Sequence, residues 1–404
     1  MIKILFVSNN NLTDSGLSGG DRILIELVRN WSQKYPSGLL ATGEGADLLA
    51  KYHATDKVKV FLSSPKKAKF QVYSNFNYFL HAIKRTFAGI TAVFKYRSQL
   101  KDYTHIYSAS DFYPDLLPAF LLKLLYPNMT WVAGFYLFAP KPWQKNNPYR
   151  ISIGRFLTGF YYWLTQKLSF FLVYHFADIV CVTSDPDIKF FLSSKRNKDK
   201  IVVVRGGVDI KPSHLYLKKH QPSLKNKKFN AVFIGRLHYQ KGVLELIDIW
   251  KRVCNKFPKY QLAMIGNGQL LSDIKKKIKK LGLSKNITLF GFVDGPEKFK
   301  IFQESAIAIH PATYDSGGMA TAEAMAWGLP GVCFDLEALI SYYPQGLIKT
   351  KCFDLDEFAD NIIKLTTNDK LYSKYSQQAV DLIENHWSWD SRSADIIKQI
   401  LQNS

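Results

Sequence analysis

Short apolar runs alternate along this chain with longer segments in which apolar residues recur at helical spacing. The chain starts with the apolar run MIKILFVS, and after a polar loop the segment 21–35 places apolar residues three and four positions apart. Further apolar runs are THIYSAS, MTWVAGF, ADIVCVTS and KIVVVRG, and then NAVFIG, QLAMIG, NITLFG, AIAIHPA and GVCFD. Strands that alternate with helices in this way predict an α/β protein with doubly wound parallel sheets.

A polar, lysine-rich stretch interrupts this alternation near the middle of the chain. We therefore predict a first α/β domain over 1–210, a linker over 211–228, and a second α/β domain over 229–384. The remaining residues, 385–404, predict a C-terminal helix that returns to the N-terminal domain. A length of 404 residues is sufficient for two domains that each have a core.

The composition indicates a folded protein in a reducing setting. Hydrophobic residues make up 47% of the chain, which excludes a disordered protein. The four cysteines are widely scattered and form neither a disulfide framework nor a metal-binding pattern. The N-terminus leads directly into a strand without a signal peptide, so we expect a cytoplasmic protein.

A formal net charge of +21 predicts affinity for anions such as nucleic acids, anionic lipids or phosphorylated ligands. The excess is larger in the N-terminal half, where the segments 66–97 and 155–176 combine basic and aromatic residues. Gln166 and Lys167 interrupt the second segment, which argues against a membrane-spanning helix. Two interpretations remain open: a long helix packed inside the domain, or a surface in peripheral contact with an anionic membrane on the inner face of the cell.

Three predicted strand ends in the second half carry residues suited to binding an anion. They are Gly235, Arg236 and Lys241 after NAVFI, Gly266 after QLAMI, and Asp315, Ser316, Gly317, Gly318 and Met319 after AIAIHPA. Ligands of open parallel sheets bind beyond the carboxyl ends of the strands. If these strands are parallel neighbours, the three loops open on one edge of the sheet.

The third loop leads into a predicted helix whose first amides can bind a phosphate. A helix N-terminus offers unpaired N–H groups, and Gly317 and Gly318 let a ligand approach the backbone. Glu323 lies about 7 Å further along the helix axis, at ~1.5 Å per residue. That offset suits a carboxylate that accepts hydrogen bonds from a ribose, with Asp315 facing the group beyond the phosphates. Taken singly, these residues also fit a turn, a solvated basic pair and an exposed helix residue.

The pattern Gly235-Arg236-x4-Lys241-Gly242, followed by Asp315-x7-Glu323 and a Gly-x-Pro ending, resembles the signature of the retaining GT-B glycosyltransferases of family 4 (glycosyl transferases group 1). Weaker matches are Gly19 and Gly20 to the family's N-terminal glycine loop, and the run GFV, with Val293, to a turn near the base. The resemblance implies two Rossmann-like domains that face a central cleft.

The resemblance also implies a function and roles for the residues. A nucleotide-sugar donor, such as a UDP- or GDP-sugar, would bind the second domain, and a glycan or lipid-linked acceptor would bind the first. Arg236 and Lys241 would hold the diphosphate, Glu323 the ribose, and Asp315 with the amides of residues 317–319 the donor sugar and phosphate. Transfer of a hexose or N-acetylhexosamine would proceed with retention and without a metal or other cofactor. The resemblance further implies a part in cell-surface polysaccharide or glycoconjugate biosynthesis.

Two departures from the family pattern concern the donor sugar. The first acid of the family pair is commonly Glu, and here it is Asp315; Ser316-Gly317-Gly318 stands where Gly-Phe-Gly is frequent. Alternatives are a GT-B epimerase or phosphorylase, and a catalytically impaired relative. A nucleic-acid binder is a further class, but the chain shows no nucleic-acid module, so no nucleic-acid partner is expected.

Overall fold

The computed structural model describes residues 1–10, 18–65, 75–144, 147–150, 152–194, 196–315 and 317–404. Within these ranges the chain forms two compact units. The first comprises Met1–Val204 together with Asp390–Ser404, and the second comprises Arg205–Trp389. Each unit is described on its own below.

The first unit contains a seven-stranded sheet in which all neighbouring strands are parallel. Its strands are β1 (Ile4–Ser8), β2 (Ser37–Thr42), β3 (Val58–Ser64), β4 (His105–Ser108), β5 (Thr130–Gly134), β6 (Ile179–Val182) and β7 (Ile201–Val203). They lie in the order β3-β2-β1-β4-β5-β6-β7. The chain therefore builds outward from β1 and then crosses back to β4, which is the doubly wound topology.

Helices cover this sheet, and their starts follow from local sequence. They are α1 (Gly19–Trp31), α2 (Gly43–Lys51), α3 (Asn75–Lys95), α4 (Arg97–Leu100), α5 (Tyr113–Leu125), α6 (Ile153–Phe176), α7 (Ile188–Phe191) and the returning α16 (Trp389–Gln402). Helix α1 begins with a capping box in which Ser18 and Asp21 bond reciprocally. The indole N–H of Trp31 donates to the carbonyl of Ser393 at 2.9 Å, so α16 packs within the first unit.

The second unit contains a six-stranded sheet, again with parallel neighbours throughout. Its strands are β8 (Phe229–Ile234), β9 (Leu262–Ile265), β10 (Ile287–Gly291), β11 (Ser305–His310), β12 (Gly331–Phe334) and β13 (Leu347–Thr350). The order β10-β9-β8-β11-β12-β13 repeats the topology of the first sheet. Strands β9 and β10 are added on one side of β8, and the chain then crosses back to add β11, β12 and β13 on the other side. The order of strand addition therefore reverses between β8 and β11.

Helices flank this sheet on both faces. They are α8 (Lys211–Leu217), α9 (Val243–Lys256), α10 (Leu271–Lys280), α11 (Pro296–Gln303), α12 (Met319–Met325), α13 (Glu337–Tyr342), α14 (Leu355–Thr367) and α15 (Asp369–His386). Helix α9 buries a stripe that includes Leu246, Trp250 and Val253 in one core. Helix α12 packs in a separate cluster with Trp327. The predicted linker, 211–228, contains α8.

The predicted fold class is confirmed: the chain is an α/β protein with two Rossmann-like, doubly wound parallel sheets. All ten apolar runs read as strands are strands, whereas β2, β3 and β13 were not predicted. The four cysteines, all within the described ranges, are free thiols. Among the helices that the structure describes, none combines the length and the apolar character that a membrane crossing requires.

Candidate functional site

The candidate site lies at the carboxyl edge of the second sheet, where β8 and β11 are adjacent and parallel. The loop after β8 carries Arg236 and Lys241, and the loop after β11 carries Asp315. Because the chain reverses between these two strands, their loops diverge and leave the crevice in which ligands of such sheets bind. Strand β9 pairs with the other side of β8, so all three predicted loops open on the same edge.

The loops after β8 and β9 are held together through their backbones. The amide of Gly235 donates to the carbonyl of Ile265 at 3.0 Å, and that of Leu237 donates to Asn267 at 2.9 Å. Gly266 has a φ of 143°. A Cβ at Gly266 would stand 1.9 Å from the Gly235 carbonyl oxygen. Glycine is therefore required where these two loops cross.

The loops after β8 and β11 are also joined. The carbonyl of Gln240 accepts from the amides of Thr313 at 3.0 Å and Tyr314 at 3.2 Å. Gly318, the residue before α12, has a φ of 65° and lies so near the ring of His310 that a Cβ would approach Nε2 to 2.5 Å. These contacts fix the start of α12 against the end of β11.

An ionic cluster connects the two loops at their side chains. The Lys241 ammonium lies 2.5 Å from Oδ2 of Asp315, and Nε2 of His310 lies 3.0 Å from the same oxygen. The Asp315 side chain is 9% exposed. Burial alone would raise the pKa of the Asp315 carboxyl, but the Lys241 ammonium and the His310 ring together hold it well below its usual range. Asp315 is therefore ionised and bound to a cation that the other loop supplies.

His310 lies beneath this ion pair as a neutral ring. Burial lowers the pKa of His310, Asp315 opposes the shift, and Lys241 and Lys349 reinforce it. An ionised carboxylate can only accept, so Nε2 carries the hydrogen and Nδ1 has the lone pair. Within the described part of the chain, Nδ1 is buried without a hydrogen-bond partner. His310 thus orients Asp315 without adding a charge.

The surroundings of His238 show that the loop after β8 is electropositive. Burial lowers the pKa of His238 to about 4, and the positive charges of Arg236 and Lys241 add to the shift. The Arg236 side chain is exposed. Its charge and that of Lys241 therefore both act on the same ring, at the mouth of the crevice.

Glu323 lies in a second ionic cluster. The Lys298 ammonium, on α11, is 2.6 Å from Oε2 of Glu323 and 2.6 Å from Oδ1 of Asp294. Burial alone would lower the pKa of Lys298, but the two carboxylates outweigh it and raise that pKa. Asp294 follows β10, so this cluster joins another loop of the same edge to α12. Glu323 is partly exposed and has one of its oxygens fixed by Lys298.

The remaining residues of the predicted site lie in different parts of the fold. Met319 and Val293 are partly buried against the core that contains α12. Ser316 lies outside the described residues. Gly19 and Gly20 are the first residues of α1 in the first unit, where a Cβ at Gly20 would lie 3.6 Å from the ring of Tyr136. The structure thus brings Lys241 to Asp315 and places Glu323 in a cluster of its own.

Acidic residues elsewhere have structural partners. Asp354, in a DxD-like run, caps α14 by accepting from the amides of Asp356 at 3.1 Å and Glu357 at 2.9 Å. Across the ranges that the structure covers, no group of three or more His, Cys, Asp or Glu residues is arranged to hold a metal ion.

Sequence reasoning did not single out His310 or Lys298. His310 ends β11 five residues before Asp315, so its place at a strand end was an available signal. Lys298 gave no such signal, because it stands in the lysine-rich run EKFK and only the fold shows that its ammonium is buried between two carboxylates.

Comparison with known proteins identifies the class of this site. Residues 217–381 match the sequence model of the family described as "Glycosyl transferases group 1". This match covers the strand ends and both ionic clusters. This part of the second unit is therefore similar in sequence to the glycosyl transferases group 1 family.

Relatives and solved structures support the same assignment. The chain is 24% identical over 208 residues to the poly(glycerol-phosphate) alpha-glucosyltransferase of Bacillus subtilis, covering 50% of this chain and 30% of that protein. It is 29% identical over 271 residues to an uncharacterized glycosyltransferase of Methanocaldococcus jannaschii, covering 58% and 65% of the two chains. The matches thus span between about a third and two thirds of these relatives.

The fold of the whole chain is similar to that of Anabaena HepE, solved in complex with UDP and glucose. The TM-score is 0.68, the identity is 17%, and all of both chains is covered. At this identity the likeness establishes the fold, which is that of the GT-B glycosyltransferases.

We expect the pKa of His238 to report on anion binding. Without ligand the ring should stay neutral down to about pH 4, because burial disfavours its charged form and protonation would bring a third positive charge beside Arg236 and Lys241. In the unfolded chain the ring protonates near pH 6.5, so this histidine should destabilise the native state progressively as the pH falls from about 6.5 to about 4.

Titration of labelled histidine followed by NMR measures this pKa, and the His238→Asn variant assigns the signal. Inorganic pyrophosphate bound between Arg236 and Lys241 should raise the pKa of His238, because it offsets their charges. A pKa that pyrophosphate leaves unchanged would contradict an anion site at this loop.

Proposed function

We propose that the protein is a retaining glycosyltransferase that transfers a hexose or N-acetylhexosamine from a UDP- or GDP-sugar to a glycan or lipid-linked acceptor. The observation that carries this proposal is the Lys241–Asp315 pair, which joins the two loops at the reversal point of a glycosyl transferases group 1 domain. The name of the Bacillus relative and the UDP and glucose bound to HepE support a nucleotide-sugar donor.

The diphosphate of the donor binds at the mouth of the crevice in this proposal. An ammonium has three donor hydrogens, so Lys241 can keep its bond to Asp315 and still donate to a phosphate oxygen. Arg236 supplies a second cation beside it, with a planar fork that suits phosphate oxygens. The amides of residues 317–319 face the same phosphate, and Gly235 and Gly266 let the ligand approach the loops.

Catalysis follows from the charge that develops as the diphosphate leaves the sugar. The bond between the sugar and the diphosphate breaks, and negative charge accumulates on the departing phosphate oxygen. Preorganised cations stabilise this charge more than the charge of the bound donor, which accelerates the step. Asp315 has the role of holding the Lys241 ammonium in place, because it is ionised, buried and braced by His310.

The acceptor hydroxyl attacks from the face that the diphosphate leaves, through an oxocarbenium-like state, so that the configuration is retained. Its proton passes to the departing phosphate oxygen. Arg236 and Lys241 neutralise the leaving group, and the reaction proceeds without a metal ion. The ribose of the donor binds the partly exposed carboxylate of Glu323, which Lys298 holds in one orientation. Val293 lies near the base, one residue before the Asp294 that also binds Lys298.

Transfer and binding assays with a panel of UDP- and GDP-sugars test the proposal. At least one donor should raise the melting temperature and be turned over, and a chelator such as EDTA should leave turnover unchanged. The anomeric configuration of the product, determined by NMR, reports retention. If no sugar nucleotide is hydrolysed, transferred or bound, the donor assignment is wrong.

The Lys241→Met variant should lose both turnover and stability. Loss of a preorganised cation should lower kcat at least about a hundredfold. The remaining carboxylate of Asp315 is buried, so the free energy of unfolding should fall by about 3 kcal/mol, as measured by denaturant titration.

A double variant separates these two effects. Lys241→Met with Asp315→Asn removes both charges, so it should recover most of the lost stability while turnover stays low. Lys256→Met removes an exposed lysine that is paired with Asp360 in the same unit and serves as the matched control. Turnover within a few-fold of wild type in the double variant would exclude the role of Lys241.

The Glu323→Gln variant should weaken donor binding, with about a tenfold higher Kd for the nucleotide by calorimetry, because an amide accepts hydrogen bonds from the ribose less strongly than a carboxylate. Asp294→Asn is the control: it removes the other carboxylate on Lys298, at the same 2.6 Å, without touching the predicted ribose contact. An equal loss of affinity in both variants would show that Glu323 acts only through Lys298.

A further inference from the structure

Helix α6 of the first unit has an inverted distribution of polar and apolar residues. Its outward face is a stripe of large apolar side chains at spacings of three and four residues, formed by Ile153, Leu157, Phe160, Leu164, Leu168 and Phe171. Leu157 is 58% exposed and Leu164 is 52% exposed. A helix that faces water normally presents polar residues on this side. The stripe extends over about 27 Å at ~1.5 Å per residue.

Two polar residues of α6, Gln166 and Ser169, point the other way. Gln166 is buried and its amide donates to Asp111 and to the carbonyl of Leu137, each at 2.8 Å, while its oxygen accepts from Ala139 at 2.6 Å. Ser169 is buried as well. Gln166 therefore does not interrupt the outer apolar face, although it interrupts the apolar run in the sequence.

Helix α3 continues this surface. Its exposed side chains include Phe79, Ile83, Phe87 and Phe94, whereas Arg85 is buried and bonds to the carbonyl of Asn9. The rings of Phe79 and Tyr161 meet at 5.6 Å, so the exposed faces of α3 and α6 are contiguous. An exposed apolar patch that extends over two helices marks an interaction surface. We call these exposed residues of α3 and α6 the apolar face.

The charged side chains of the two helices that form the apolar face have one sign. Residues 57–101 and 116–177 contain no Asp or Glu, so neither helix carries an acid. Exposed cations accompany the face, among them Lys84 and Lys95 on α3 and Lys167 on α6, whose ammonium lies 4.9 Å from the ring centre of Trp163. Two copies of this surface would repel each other, whereas a layer of anionic headgroups above an apolar interior complements both features.

We infer that the apolar face binds the surface of an anionic lipid bilayer. Helix α6 lies along the headgroup layer with its stripe among the upper acyl chains, α3 lies beside it, and the lysines extend to the lipid phosphates. This surface belongs to the first unit, so the inference goes beyond the proposed donor chemistry and does not depend on it.

Flotation with lipid vesicles tests the inference on the full chain. Wild-type protein should float with vesicles of phosphatidylcholine and phosphatidylglycerol in equal parts, and less with phosphatidylcholine alone. The double variant Leu157→Glu/Leu164→Glu should bind the mixed vesicles at least about tenfold more weakly, because two charges enter the stripe. Circular dichroism verifies that the variant is folded.

The second unit offers a matched control. Leu215→Glu/Ile340→Glu adds the same charge at positions that are 64% and 52% exposed, and it should float like the wild type. A second variant, Lys84→Gln/Lys167→Gln, leaves the stripe intact and should lose part of the binding to anionic vesicles only.

Two outcomes would overturn the inference. One is an equal loss of flotation in the stripe variant and its control, which would reduce the effect to net charge. The other is a wild-type protein that does not float. In that case ultracentrifugation without lipid shows whether the apolar face joins two copies, because the stripe variant would then be monomeric and the wild type dimeric.

Discussion

The bond between Lys241 and Asp315 is the constraint on which the candidate site depends. Two loops that leave adjacent strands in diverging directions are joined by the backbone bonds of Gln240, by the hydrogen bond from the Thr313 hydroxyl to the Tyr239 carbonyl and by this ion pair. The carboxylate is buried, so it requires its cation, and the neutral ring of His310 fixes it from below. The result is a lysine ammonium held at a defined point of an electropositive crevice.

A second ion cluster has the same physical logic. Lys298 is buried between Asp294 and Glu323, so a cation from α11 determines how the carboxylate on α12 is presented. Both predicted acids of the motif, Asp315 and Glu323, are therefore bound to lysines of the chain itself. In the proposed function, donor binding uses side chains whose orientations are already fixed, which lowers the entropic cost of ordering them.

The two units place their charge and apolar surface differently. In the second unit, Lys241 is paired with the buried Asp315, and the buried Lys298 is paired with Glu323. In the first unit, two acid-free helices expose aromatic and aliphatic side chains beside lysines and bury Arg85 and Gln166 instead. Basic residues of this chain, whose net charge is +21, therefore lie in two separate places, one at the donor site that we propose and one beside the apolar face.

The amino-acid sequence alone determined the fold class and the strand ends of interest, because apolar runs of strand length and helical spacing are local properties. Strands β2 and β3 escaped prediction, since glycine, serine, threonine and lysine interrupt the apolar residues of SGLLAT and VKVFLSS. In the fold, β2 is buried throughout, whereas Phe61 is the one buried residue of β3. Only the tertiary structure decided that Asp315 bonds Lys241, that Glu323 bonds Lys298 and that Gln166 faces inward. The first two pairings join residues 74 and 25 positions apart in the sequence, and Gln166 bonds to Asp111, which is 55 positions away. Residues so far apart in the sequence meet only through the packing of whole helices and strands.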